Sequence, residues 1–163
     1  MQGNGWSPPS RAILPGSIGN AEAVVPKIAG VADFRKKLAR ITSPEAKRQV
    51  GAALFAAGEQ IEVEAALSIT NGAVSGEGHV RSSPGEPPNA DTHTLDRSIE
   101  TNQVAPLRVE VSANAPYAAM LEFGTSKMAA RPFMAPALAR KRDDAARLIA
   151  RAVSHISKGG KVS

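Results

Sequence analysis

The sequence predicts an α+β domain in which long N-terminal and C-terminal helices pack on a small antiparallel sheet. Three observations predict it. Apolar residues recur at three- and four-residue spacing through residues 31–69 and again through 136–157. Between these stretches, residues 107–113 alternate apolar and polar side chains, the period of a half-buried strand. The length of 163 residues fits one domain.

Residues 1–30 hold Gly3, Gly5, Pro8, Pro9, Pro15, Gly16, Gly19, Pro26 and Gly30, a density of breakers that forbids a long helix. An extended arm is expected over 1–26, with a short strand at 24–28, and the folded domain over 27–158. In an assembly such an arm lies on a neighbour. Residues 31–41 read as a short helix with Val31, Phe34, Leu38 and Ile41 on one face and Lys36, Lys37 and Arg40 elsewhere.

Ser43-Pro44-Glu45 starts a second helix. Serine accepts a free N–H, proline fits the first helical position, and glutamate suits the positive end. This helix runs to about Ile69 with a stripe of Val50, Leu54, Ala57, Ile61 and Ala65, and Asn71-Gly72 stops it. Its many alanines favour helix and permit close approach.

Residues 72–89 form a breaker-rich loop, of a length that is usually functional when it lies inside a compact domain. Asp91-Thr92 then caps a turn leading to a strand at 97–103. With 107–113 this makes a hairpin turning at Ala105-Pro106. Residues 116–123 read as helix ending at Gly124. Pro132 and Pro136 frame a link into the last helix, whose stripe is Leu138, Ala145, Ile149, Ala152 and Ile156. Gly159-Gly160 ends it, leaving a short tail over 159–163.

Composition predicts a modest core. The chain has four Phe, one Trp and one Tyr, and alanine supplies much of its apolar content. Each Ala in place of a Leu forgoes about 2 kcal/mol of burial. Contact with neighbouring subunits is the natural supplement. There is no cysteine, so disulfides and thiolate metal sites are excluded. No apolar run reaches the length of a membrane span. The first twenty residues lack the basic start and apolar run of a signal peptide, so assembly in the cytoplasm is expected.

The formal net charge of +5 is unevenly placed. From Lys127 onward nine Lys or Arg stand against two Asp. A basic C-terminal third fits nucleic acid, an acidic protein surface or a solvated helix face.

Catalytic signatures are weak. His79 and His93 could meet Asp91 at a metal, but no helical spacing fixes their geometry. Ser82, Ser83, Asp91 and His93 name the parts of a hydrolase triad without a Gly-x-Ser-x-Gly elbow. The glycines of 72–85 are not followed by the Gly-Lys-Ser/Thr of a phosphate loop. No catalytic residue, cofactor or metal is therefore expected.

Two motif blocks carry more. One runs Pro116-Tyr117-Ala118, Glu122-Phe123-Gly124-Thr125, Arg131-Pro132-Phe133, Pro136-Ala137-Leu138. The other runs Pro84-Gly85, Asp91-Thr92, then Leu95-Asp96-Arg97-Ser98-Ile99. In order and spacing they resemble the small neck or tail-completion proteins of lambda-like long-tailed phages, the gene-product-ten-type family. The resemblance covers roughly residues 27–156. One departure is His93, where the family usually has Gly. If that position needs positive φ, a His costs about 1 kcal/mol.

The resemblance implies a structural virion protein in a ring at the head–tail junction. Its partners would be copies of itself, other neck and tail-tube proteins, and DNA passing the lumen without specific binding. Six copies is the first expectation from tail-tube symmetry, with twelve as the connector-side alternative. A basic DNA-binding module is the alternative function.

The residues have a physical reading beside the resemblance. Gly124 is expected to take a left-handed cap after Phe123, which packs inward with Tyr117 and Phe133. Glu122 is expected to pair with Arg131, as a staple within the chain or as a contact between subunits. Pro132 and Pro136 set the start of the last helix. Pro84, Gly85, Asp91 and Thr92 mark a loop expected to dock on partners.

Overall fold

The computed structural model describes residues 30–160. The expected arm at 1–26, the strand at 24–28 and residues 161–163 lie outside the described residues. Four helices and one hairpin make up the rest: α1 (Val31–Ile41), α2 (Pro44–Thr70), β1 (Ile99–Ala105), β2 (Arg108–Ala113), α3 (Ala118–Phe123) and α4 (Met134–Ser157). The fold class is α+β.

Helix α2 is the spine. The Ser43 hydroxyl accepts the Ala46 N–H at 3.1 Å, and Pro44 fills the first helical position. Helix α4 runs back along α2, because Glu64 late in α2 meets Arg140 early in α4, while Glu45 and Arg48 share a groove with Arg151 and His155.

The antiparallel hairpin lies across α2 with Ile99 opposite Ala113 and Thr101 opposite Val111. Two glycines seat it. A Cβ on Gly58 would stand 2.7 Å from Thr101 Cγ2 and 3.0 Å from Val109 Cγ1, and one on Gly51 would collide with the Pro106 carbonyl. Close approach therefore rests on Gly51 and Gly58, two turns apart on one face, more than on the alanines.

The core gathers Ala65, Ile69, Ala90, Leu95, Ile99, Ala115, Ala118, Phe133 and Ala137. Five of these nine are alanine, and only Phe133 and Ile69 are large and fully enclosed, so the core is as modest as composition predicts.

Several expectations shift. The buried line of α2 is Ala53, Ala57, Ala65 and Ile69, while Val50, Leu54 and Ile61 are half-buried. The first strand begins at Ile99 because residues 96–98 form a 3-10 turn. Leu107 sits exposed at the hairpin tip. Helix α4 starts at Met134, two residues before Pro136, and buries Ala137 where Leu138 was expected. The largest departure is α1. It forms over the expected residues, yet none of them is buried, and its stripe of Val31, Phe34, Leu38 and Ile41 faces outward.

Candidate assembly interface

The two motif blocks fold onto each other. The Gly85 N–H donates to the Ala130 carbonyl at 2.9 Å, tying the Pro84-Gly85 turn to the turn after α3. The Asn114 N–H donates to the Ser98 carbonyl at 2.9 Å, and Ala90 to Ile69 at 2.9 Å. Pro84, Gly85, Asp91 and Thr92 are all exposed. Asp91 accepts the Gly76 N–H at 3.1 Å, and Thr92 bonds Thr94 at 2.9 Å, so both brace the loop that carries them.

Glu122 does something sequence spacing did not reveal. Its carboxylate accepts the backbone N–H groups of Phe133 at 2.8 Å, Met134 at 3.0 Å and Ala135 at 2.9 Å. Phe133 occupies the capping position of α4 and has no side-chain acceptor of its own. A carboxylate from another helix therefore satisfies the free N–H groups and meets the positive end of the helix dipole. Within the chain Glu122 and Arg131 form no ion pair, so the staple expected between them is absent. Arg131 instead donates its backbone N–H to Leu121 at 2.7 Å, and its Nε is buried without a partner.

Gly124 makes this return possible. Its φ of 74° and ψ of −177° lie in a region open only to glycine, an extended turn in place of the expected left-handed cap. A Cβ there would stand 2.8 Å from both Ala130 N and Met128 O. Pro132 and Pro136 are half-buried on either side of the α4 start. Phe133 is 1% exposed, as expected of the anchor. Tyr117 is 37% exposed and Phe123 82% exposed, so the inward packing expected of them does not occur. Phe123 is the last residue of α3, and the inward positions of that short helix are already taken by Ala118 and Leu121.

A cavity of about 460 Å³ opens between the blocks, walled by His93, Leu95, Asp96, Tyr117, Leu121 and Arg131 among others. Ser82 Oγ and Asp96 Oδ1, also at this cavity, are buried without hydrogen-bond partners. His93 has φ of 56°, the one non-glycine residue with positive φ among those described. Its Nδ1 lies 3.1 Å from Asp96 Oδ2 and its Nε2 lies 3.4 Å from Ser75 Oγ. That is the bond order of a Ser–His–Asp relay, built from different residues than Ser82, Ser83 and Asp91. The N–H following Ser75 is engaged by Asp91, so this position supplies no free oxyanion donor. Among the described residues no three His, Asp or Glu side chains gather to hold a metal ion.

The cations of α4 are partly tied down. Arg140 and Lys141 reach Glu64 at 3.0 and 3.3 Å, and Arg147 pairs with Asp144. The Arg140 hydrogen bond, then that of Lys141, holds the Glu64 carboxyl below the usual glutamate range.

Over residues 32–124 the chain matches the family model described as Bacteriophage HK97-gp10, putative tail-component. The chain belongs to this family. No curated protein and no solved structure matches it. The family match runs from the second residue of α1 to Gly124 after α3, taking in all of the Pro84–Ile99 block and the first part of the Pro116–Leu138 block. Tail-component membership makes this a structural protein of a bacteriophage, as the two motif blocks implied. Helix α4 lies beyond the matched span, but Glu122 inside that span caps it, so the two parts fold together. Among the described residues no helix is long and apolar enough to cross a membrane.

Proposed function

We propose that this tail component is a neck or tail-completion subunit. It closes a ring of its own copies at the head–tail junction, joins the tail tube to the head connector, and lets DNA pass. One observation carries this reading. Of the five aromatic residues described, only Phe133 is fully buried, whereas Phe34 and Phe123 are 64% and 82% exposed. A chain with so alanine-rich a core gains by covering such surface in an assembly. Unlike surfaces that meet around an axis generate a closed ring. Six copies match tail-tube symmetry, and twelve remain the connector-side alternative.

The role is structural, without catalysis, metal or cofactor. Partners are further copies, other neck proteins and tail-tube proteins, with the 74–90 loop and its Pro84, Gly85, Asp91 and Thr92 as a docking element. Subunits assemble in the host cytoplasm and end in the virion. DNA passes without specific binding, because each phosphate contact would add salt-sensitive grip. The pairing of Arg140 and Lys141 with Glu64 fits a helix α4 set away from the lumen.

Light scattering of the full chain, with antibody labelling of intact particles, tests this. Defined oligomers and label at the neck are expected. A monomer at every concentration, absent from particles, contradicts it. The alternative, a duplex-binding module resting on the basic C-terminal third, predicts DNA affinity that falls steeply with salt.

A further inference from the structure

Among the described residues nothing encloses the apolar stripe of α1. An isolated helix shorter than about 12 residues is marginal in water. Helix α1 has 11 residues and buries none of them; it touches α4 and α2 but leaves Phe34 and Leu38 at least half exposed and Val31 and Ile41 partly so. Elsewhere on the chain an apolar groove of about 600 Å³ lies between the hairpin, α3 and the start of α4. Its walls include Ile61, Val109, Val111, Phe123 and Leu138, the last two 82% and 52% exposed.

Charge matches the two surfaces. Helix α1 carries Arg35, Lys36, Lys37 and Arg40 against Asp33. The elements around the groove, residues 59–70, 99–113, 118–123 and 134–141, carry six glutamates against Arg108, Arg140 and Lys141, the last two of which are paired with Glu64. A basic amphipathic helix and an acidic-flanked apolar groove on one chain are complementary to each other, and they lie at different places on it. Stacking like copies groove to groove or helix to helix would set like charges together.

We infer that α1 of one copy docks, apolar face down, in the hairpin–α3–α4 groove of the next. The contact is head to tail, with Phe34 and Leu38 meeting the Phe123 and Leu138 side of the neighbour. It rests on the ring reading and names the surfaces through which the ring closes. Because each copy offers one helix and one groove, the contact propagates until the rotation closes.

The chain lacks cysteine, so single cysteines report cleanly. Full chains carrying Phe34→Cys and Phe123→Cys, both exposed positions, are mixed and treated with a short thiol–thiol cross-linker, free in solution and in assembled particles. Cross-linked heterodimers well above those from Phe34→Cys mixed with Val74→Cys are expected. A second pair tests the polarity. Phe34→Asp and Phe123→Asp chains each stay monomeric alone, and their mixture stops at a dimer, since only one intact helix–groove contact can form. Absence of the Phe34–Phe123 cross-link in both settings overturns the inference, whether α1 is covered by another protein or by its own chain. Oligomers that survive both Asp substitutions also overturn it while leaving the ring intact. A wild-type chain that is monomeric and missing from particles overturns the ring reading itself.

Discussion

The Glu122 carboxylate accepts the Phe133 backbone N–H at 2.8 Å across 11 residues of chain, and so caps a helix whose own first residues offer no acceptor. Glu122→Ala removes three N–H partners and the charge facing the helix dipole. It is expected to cost about 2 kcal/mol. Glu122→Gln, which keeps an acceptor, is expected to cost about half as much. Urea unfolding of the two variants checks this, and Arg131→Ala provides the contrast. If the Arg131 variant lost as much as Glu122→Ala and the two losses were coupled, an ion pair between them would explain the data better.

Gly58 lets the hairpin reach α2. Alanine normally gains about 1 kcal/mol over glycine inside a helix. At Gly58 its Cβ would meet Thr101 Cγ2 at 2.7 Å, in the middle of the sheet contact. Gly58→Ala is therefore expected to destabilise the fold by about 1–3 kcal/mol. Gly72→Ala, where no atom lies near the new Cβ, would be strained by its φ of 78° alone. Thermal unfolding separates the cases, and a stabilised Gly58→Ala would mean the hairpin sits farther from α2.

His93 keeps a left-handed backbone that glycine adopts freely. Both His93→Gly and His93→Ala lose the imidazole contacts with Ser75 and Asp96, but only the alanine retains the strain. The glycine variant is expected to be the more stable of the two by about 1 kcal/mol. Equal stabilities in denaturant would show that the backbone relaxes when the ring is removed.

The Glu64 bridge makes a pH-dependent contribution. Its carboxyl is depressed by Arg140 first and Lys141 next. A depressed carboxyl stabilises the fold above the unfolded-state value of about 4.3, and that contribution fades as pH falls through the folded-state value. Wild type is expected to exceed Glu64→Gln in unfolding midpoint at neutral pH, with the gap closing at lower pH and in high salt. A gap that persists unchanged in acid would point to packing in place of charge.

The helices were legible in the sequence because their cues are local. Ser43-Pro44 capped α2 as its residue types dictate, and the period of α1 placed that helix over 31–41. The hairpin was legible from the alternation at 107–113. Which faces stay uncovered was not legible. The spacing of Phe34 and Leu38 says that they share a face, but not that the described residues leave that face exposed. Phe123 misled for the same reason: an aromatic before a glycine looks like an anchor until the neighbouring Ala118 and Leu121 are seen to fill the inward positions. The Glu122 cap is a tertiary contact with no sequence period. Only the absence of a capping side chain at Phe133 hinted that an acceptor must come from elsewhere.

Electron microscopy of particles produced without this chain bears most directly on the central claim, that the tail component closes the junction between head and tail. Filled heads and finished tails lying apart, joined again when the purified chain is added, are the predicted result. Intact virions formed in its absence would contradict it.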